Sequence, residues 1–308
     1  MRYSALVAVL ALACNGSTDT DATDTDDTDG TTDPFAQFIF VTQEATGNFT
    51  GFTSGTDYDS TVWLTQTVDP AKQGAFGASI LVEDFDSGDP VPNATVELWL
   101  GNVVSGTPDT IEVSDQNGKA AFASVPSCEP FSYRVSTNPS LDETKITLAA
   151  HKVLPYQDGN DITGENFTSV SKVTYQLIPA ILGINPNPEY AIVAGKAYDL
   201  DGGFIEGAQI IIYDEDGNIA SDTVKVHYFV EEFPSRDQPH TSADGIWVAI
   251  NVPPGSLRAE MWGVVDGQLG LLGATLIESY ADTINLGNLS VGNGTGVQLP
   301  DECLQTSR

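Results

Sequence analysis

Basic side chains are scarce in this chain of 308 residues, where 12 Lys and Arg stand against 43 Asp and Glu and the formal net charge is −31. Binding to nucleic acid needs a cluster of Lys and Arg that displaces phosphate counterions. Docking on anionic lipid by charge needs a polybasic segment. The composition therefore argues against nucleic acid as a partner and against a purely electrostatic attachment to membranes.

Long apolar runs are also missing, since no run approaches the roughly 20 residues that a membrane-spanning helix needs. Residues 5–13 form a shorter unbroken apolar run, which follows the single positive charge of Arg2. This arrangement is typical of a secretory signal peptide, which we predict at residues 1–13.

Two kinds of cleavage fit the end of this signal. Residues 11–13, Ala-Leu-Ala, satisfy the small-x-small rule of ordinary signal peptidase. Residues 10–14 resemble a bacterial lipobox, in which the cysteine, here Cys14, is lipidated and becomes the first mature residue, although the family prefers Leu where this chain has Ala11. Asn15 in the second mature position resembles lipoproteins sent to the outer membrane. The resemblance implies an extracytoplasmic, outer-membrane-anchored protein, with exposure at the cell surface left open.

An acidic segment follows the proposed lipidation site. Asn15 to Pro34 contains seven Asp and no basic residue. Such a segment cannot bury enough apolar surface to fold, and its like charges repel one another. We predict a disordered tether at residues 14–34. An acylated cysteine needs a spacer of this kind, which favours the lipoprotein interpretation over free secretion.

Cysteine is rare as well, with three in the chain. If Cys14 carries lipid, Cys128 and Cys303 remain as an even pair in an oxidising compartment. We predict a disulfide between Cys128 and Cys303, and the alternative is two unpaired thiols.

The remainder of the chain alternates polar and apolar residues in short runs rich in Val, Ile, Thr, Phe and Tyr, separated by Gly, Asp and Asn. This pattern predicts an all-β fold of two tandem antiparallel β-sandwiches, transthyretin-like or Ig-like. Proline interrupts strand pairing, so Pro186 and Pro188 mark the boundary. We predict a first sandwich at 35–182, a linker at 183–189, a second sandwich at 190–292 and a tail at 293–308. Predicted strands include 37–42, 95–100, 145–151 and 172–177.

The two halves look like copies of one unit. Residues 93–98 match 207–212, and residues 114–118 match 241–245. The offset is 114 in the first pair (94 to 208) and 127 in the second (118 to 245), so the second copy carries about 13 extra residues between Tyr213 and Thr241.

With residues Val125-Pro126 and Val252-Pro253, these motifs resemble the carboxypeptidase regulatory-like domain, a transthyretin-like β-sandwich. The resemblance covers roughly residues 78–136 and 190–263. It implies an exported accessory, adhesive or sugar-associated module, and it brings no active site.

Several residues are candidates for binding. Trp99 and Trp262 alternate with inward-facing residues and are predicted to face outward, where they could stack on a sugar or seal a contact with a neighbouring domain. The segment from Phe229 to His240 is a candidate binding loop or an indifferent surface excursion, and it contains Phe233, Arg236 and His240.

Carboxylates at turns are candidate calcium ligands, because Ca²⁺ prefers oxygen donors. The alternative is that Asp-x-Asp-Gly sequences make tight hairpins. The candidate calcium set is Asp199, Asp201, Asp214 and Asp216.

These observations favour a non-enzymatic cell-envelope lipoprotein that displays β-sandwiches for surface structure or recognition. No catalytic residue is proposed and no cofactor is expected, apart from the calcium hypothesis. The expected partners are the membrane, through lipid, and a polysaccharide or an envelope protein. One alternative is a carbohydrate-binding module, and another is a hydrolase with an unrecognised carboxylate site.

Overall fold

The structure is a computed structural model that describes residues 39–50, 67–137, 143–220, 224–292, 297 and 299–305. The predicted signal peptide, Cys14 and the acidic tether lie outside the described residues. Within the part of the chain that is described, no helix is both long and apolar enough to cross a membrane.

The described chain is all-β with one α-helix, α1, at Lys172–Leu182. The strands of the first half are β1 (Gly74–Asp84), β2 (Ala94–Leu100), β3 (Thr110–Val113), β4 (Lys119–Ser127), β5 (Phe131–Thr137), β6 (Thr144–Lys145), β7 (Thr147–Lys152) and β8 (Ile162–Ser171). Those of the second half are β9 (Ala191–Tyr198), β10 (Gln209–Tyr213), β11 (Val226–Val230), β12 (Phe233–Ser235), β13 (Ile246–Val252), β14 (Gly255–Val265), β15 (Gln268–Ser279), β16 (Ile284–Leu286) and β17 (Leu289–Ser290). Short 3₁₀ helices lie at Pro70–Lys72 and Asp301–Cys303.

The first sandwich consists of two sheets that share one apolar core. One sheet has the order β4–β1–β8–β6, and the other is the β7–β5–β2–β3 part of a larger sheet. Successive side chains of a strand point to opposite faces, so every second residue of β1 faces inward. Ile80 and Val82 of β1 accordingly meet Val96 and Leu98 of β2 in this core.

The second sandwich places the β10–β14–β15 sheet against the β11–β13–β9 part of the larger sheet. Ile210 and Ile212 from one side share a core with Trp247 and Ala249 from the other. Trp247 is fully buried. Pairing is mostly antiparallel, but β8 lies parallel to β1, and β16 lies parallel to both β7 and β9.

The two sandwiches repeat the same local hydrogen bonds, which confirms the correspondence between the halves. The N–H of Ala94 donates to Ser114 Oγ at 2.8 Å, and the N–H of Ser114 donates to the carbonyl of Ala94 at 2.9 Å. Ala208 and Thr241 repeat both bonds, at 3.0 and 2.8 Å. In each copy a buried hydroxyl satisfies a backbone N–H in the core, which explains why Ser and Thr recur at this position.

One sheet runs through both halves, because β16 pairs with β7 on one side and with β9 on the other. Its order is β12–β11–β13–β9–β16–β7–β5–β2–β3. The sheet therefore joins the halves on either side of residues 183–189, and the linker at these residues stays a prediction.

Each end of the described chain packs against the sandwich that is farther away in sequence. Residues 41–48, placed by the sequence in the first sandwich, lie against the second, where Glu44 bridges to Val264 and Thr46 to Glu206. The C-terminal tail instead returns to the start of the first half, where Leu304 bridges to Val68. Residues 39–42, part of a predicted strand at 37–42, are not in a strand.

The strand predicted at 172–177 was wrong, since these residues begin α1. Ser171 caps the helix by accepting the N–H of Thr174, and Gly183 ends it in the left-handed conformation. Tyr175 and Ile178 pack against Ile192 and Val248 on the outer face of the shared sheet. The helix therefore covers the face of the second half's sheet that lies opposite its sandwich core.

Candidate functional site

Cys128 and Cys303 form a disulfide, as predicted. The two residues are 175 positions apart in sequence, and their Cα atoms are 5.3 Å apart. Both cysteines are buried, with Val153 in the same small core. The bridge fixes the C-terminal tail to the first sandwich.

Trp99 was predicted to face outward, and in the structure its ring is buried and not available for stacking. It points away from the core formed by Val96 and Leu98, but its exposed fraction is 4%. The Arg134 guanidinium covers the ring at 5.2 Å from its centroid and is itself paired with Glu97. Strand alternation correctly gave the face of the sheet, but it could not show that a neighbouring strand supplies a cover.

Trp262 is half-buried and lies on β14, the central strand of the β10–β14–β15 sheet. Its indole N–H donates to Glu260 at 3.1 Å, and its ring lies 5.7 Å from the ring of Phe40. Phe40 belongs to the N-terminal segment that crosses to this half. The Trp262 ring therefore packs against another segment of the chain more than it offers an exposed surface for stacking a ligand.

The candidate binding loop contains a β-hairpin. Glu231 and Glu232 both have positive φ, as a tight turn between β11 and β12 requires. Phe233 is 67% exposed at this turn. It lies on β12, the end strand of the shared sheet.

The other two candidates in this loop bind backbone groups. Arg236 donates through Nε and Nη2 to the carbonyl of Ile181, at 3.0 and 2.8 Å, and so caps the C-terminal end of α1. His240 is buried, with Nδ1 2.8 Å from the carbonyl of Thr241. Phe233, Arg236 and His240 therefore have separate environments.

The candidate calcium ligands lie in hairpin turns of one repeated design. Asp199 Oδ1 accepts the N–H groups of residues 201 and 203, and Asp214 Oδ1 accepts those of residues 216 and 218, at 2.7 to 3.0 Å. Asp115 makes the same turn in the first half, through the N–H groups of residues 117 and 119. Within the described residues, no group of three His, Cys, Asp or Glu could hold a metal ion. The calcium set stays a prediction.

These backbone donors lower the carboxyl pKa values. The N–H of Asn218 is the main reason that the pKa of Asp214 lies below its ordinary value, and the N–H of Lys119 does the same for Asp115. A carboxyl group held in its charged form is a poor proton donor. These two aspartates are therefore suited to fixing turns and unsuited to general acid catalysis.

Sequence reasoning missed a polar cavity of about 360 Å³ at the junction of the two sandwiches. Tyr133, residues 149–153, 165, 166 and 168 line it from the first half, and Thr275 and residues 286–288 from the second. Pro300 of the C-terminal tail adds a further wall. His151 of β7 lies more than 100 positions from Thr275 and Pro300, and nothing in the sequence spacing links these residues.

No protein-family model and no curated protein matches the chain. Among solved structures it is similar to the Bacillus anthracis TIE protein, with 15% identity over 70% of this chain and 34% of that one, at a TM-score of 0.22. It is also similar to the shaft pilin SpaA from Lactobacillus rhamnosus GG, with 11% identity over 71% and 98% of the two chains and a TM-score of 0.22. GBS52, the minor pilin of Streptococcus agalactiae, has 11% identity over 75% and 100% of the two chains and a TM-score of 0.21. The chain thus spans about a third of the length of the TIE protein.

Proposed function

We propose that this protein is an exported, lipid-anchored module that displays two fused β-sandwiches at the cell envelope, for surface structure or recognition and without turnover of a substrate. The main support is the use made of the chemically distinctive side chains. Trp99 packs under Arg134, Arg236 caps a helix, and the Asp199 and Asp214 carboxylates hold turns. Each of these side chains serves the scaffold.

The disulfide supports an extracytoplasmic location. Structural disulfides persist in oxidising compartments and are rare where glutathione and thioredoxin keep thiols reduced. Cys128 and Cys303 are both almost completely buried, so the bridge is shielded from exchange. Cys14 is then the one cysteine left for lipid, which agrees with the lipobox resemblance of residues 10–14.

The hydrolase alternative needs a proton donor that the turn aspartates Asp115 and Asp214 do not supply. A retaining or inverting glycosidase needs a carboxyl group whose pKa is raised so that it can protonate the leaving group. The pKa values of Asp115 and Asp214 are shifted in the opposite direction. The carbohydrate alternative based on Trp99 is also weakened, since stacking a sugar there would require Arg134 to leave the ring.

The anchoring is tested by producing the full chain and its Cys14→Ala variant in a bacterium with an outer membrane, with an alkyne-labelled fatty acid in the medium. The wild type should take up the label and sediment with membranes. Cys14→Ala should be unlabelled and soluble. Equal labelling of the two proteins, or none in either, would contradict lipidation at Cys14.

Display is tested separately by adding protease to intact cells that carry the wild type. Loss of the sandwich epitope without cell lysis indicates surface exposure, and protection until the outer membrane is opened indicates a periplasmic orientation. Release of reducing ends from envelope polysaccharide by the purified chain would overturn the non-enzymatic proposal.

A further inference from the structure

Helix α1 presents an apolar face to solvent. Its four exposed residues are Val173, Gln176, Leu177 and Ala180, and their spacing of i, i+3, i+4 and i+7 places them along one side of the helix. Val173 is 72% exposed and Leu177 is 50% exposed. We call these four residues the outer face of α1. Three of the four are apolar, and none is charged.

The opposite side of α1 is already covered. Tyr175, Ile178 and Leu182 belong to the apolar cluster on the outer face of the shared sheet. A helix that packs on a domain surface normally turns a polar or charged side to water, and a helix that is apolar all round is expected to be buried all round. The sequence of α1 is therefore that of a helix with a partner on each side.

The absence of charge limits what that second partner can be. Each copy of the chain carries a formal charge of −31, so two copies repel one another over most of their surface. The one charged residue of α1 is Lys172 at its first position, and residues 173–188 contain none, in a chain whose residues are 18% charged. The outer face of α1 is thus a surface on which a second copy can pack without burying a carboxylate.

The C-terminal end of α1 has an excess of positive charge. Arg236 donates to the carbonyl of Ile181, and Lys225 Nζ donates to the carbonyl of Arg236 at 2.8 Å. Within the part of the chain that the structure describes, neither cation is paired with a carboxylate. Asp237 adds one negative charge beside these two positive ones.

The N-terminal end of α1 has the opposite balance. Asp86 Oδ2 lies 3.5 Å from Thr174 Oγ1, and the carbonyl of Glu143 accepts the N–H of Lys172. Lys145, which lies over the Tyr175 ring, is paired with Asp282. Three carboxylates, at positions 86, 143 and 282, therefore stand against two cations, at positions 145 and 172.

These charges favour an antiparallel arrangement of two copies. A two-fold dimer uses the same surface of both copies. If the two α1 helices are antiparallel, the basic end of each lies beside the acidic end of the other. The middle residue of Lys172–Leu182 is Leu177, so a two-fold axis at the middle of the helix brings the two Leu177 side chains together. Val173 of each copy then lies level with residues 180–181 of the other.

We propose that the outer face of α1 is a self-association surface, through which two copies of this chain form an antiparallel two-fold dimer with Leu177 at its centre. The inference goes beyond the proposed envelope role, since it states that the sandwiches are presented in pairs, and it does not depend on lipid at Cys14. The apolar surface amounts to a few hundred Å² per copy. An interface built around a patch of this size belongs to the weak, transient class.

The test is sedimentation-velocity ultracentrifugation of the full chain carrying Cys14→Ala, so that lipid cannot contribute to association. Between about 1 and 300 µM, the mass should rise from that of one chain towards that of two, with a Kd of about 10–100 µM. A chain that stays monomeric over this range would overturn the proposal.

A matched pair of variants locates the surface. Leu177→Glu puts a carboxylate from each copy at the centre of the interface and should raise the Kd at least tenfold. Glutamate is a good helix former, and an unchanged melting temperature would show that the fold is intact. Leu100→Glu is the control, because Leu100 is 65% exposed at the end of β2, on the first sandwich. It should dimerise as the unsubstituted chain does. Equal affinity in the two variants, whether retained or lost, would overturn the proposal.

Cross-linking tests the orientation. With Cys14 replaced and Cys128 bridged to Cys303, Leu177→Cys introduces one free thiol. Mild oxidation should join two such chains, since facing residues come within the distance that a disulfide spans. Val173→Cys should cross-link poorly, because its two copies lie about 12 Å apart along the axis at about 1.5 Å per residue. Equally efficient cross-linking at the two positions would refute the antiparallel dimer.

Discussion

The disulfide gives the strongest quantitative prediction for stability. Cys128→Ala/Cys303→Ala removes a cross-link that closes a loop of 175 residues in the unfolded chain. In the chain-entropy account, a loop of this length restricts the unfolded ensemble by about 5 kcal/mol. We therefore expect the free energy of unfolding to fall by about 5 kcal/mol, and the melting temperature by about 10–20 °C at 2–4 °C per kcal/mol for a chain of this size.

The assay is urea unfolding of the oxidised wild type and the double variant, each with and without reductant. Reductant should destabilise the wild type to the level of the variant and leave the variant unchanged. The urea dependence should be steeper in the variant, because an uncrosslinked chain exposes more surface on unfolding. If the variant lies within about 1 kcal/mol of the oxidised wild type, the cross-link does not constrain the unfolded chain as this reasoning requires.

Three further changes test the scaffold. Thr241→Val leaves the Ala208 N–H without its acceptor and should lower the free energy of unfolding, measured in urea, by about 1–3 kcal/mol. Thr241→Ser keeps the hydroxyl and should lower it clearly less, and equal losses in the two variants would refute this role. Arg236→Ala removes both hydrogen bonds to the carbonyl of Ile181 and should lower the free energy of unfolding by about 1 kcal/mol. The backbone amides of helix α1 should then exchange their protons faster, and unchanged exchange in α1 would contradict the cap. The folded-state pKa of Asp214 is lowered, so its stabilisation is present above the ordinary carboxyl pKa and is lost as the pH falls through the lowered value. Asp214→Asn should therefore flatten the loss of stability below about pH 4 and leave the slope near pH 7 unchanged, and an unaltered acid limb would show that the turn contributes nothing to it.

Periodicity predicted the cores well because it reports a local property. Val96 and Leu98, which alternate with Trp99, lie in the core of the first sandwich, whereas Leu100 at the end of the same strand is 65% exposed. The match between residues 114–118 and 241–245 also held, since Ser114 and Thr241 make the same hydrogen bonds. In these cases one residue and its near neighbours contain the information that fixes its position.

The helix α1 shows where the same reasoning failed. Val173, Tyr175 and Leu177 alternate as they would in a strand, and Pro179 removes a helical hydrogen bond. Ser171 and Gly183, however, mark the two ends of a helix. The capping residues were the better signal, because the outer face of the shared sheet supplies an apolar surface for the helix that the sequence does not show.

The junction cavity could not have been found from the sequence. His151, Thr275 and Pro300 are brought together only because β16 inserts between the halves and the tail returns to the first sandwich. Neither event has a local signature. A bulge that forces a histidine to positive φ likewise depends on the register of the neighbouring strand.

The shared sheet explains how three residues can join two sandwiches. Exposed sheet edges present unpaired N–H and carbonyl groups that invite aggregation. Strand β16, at Ile284–Leu286, pairs with β7 on one side and β9 on the other, so it covers one open edge from each half. The two strands left at the ends of this sheet, β3 and β12, have four and three residues, and β12 contains Pro234. Short end strands and a proline are established protections for a sheet edge, so the two open ends of the shared sheet resist pairing with another chain.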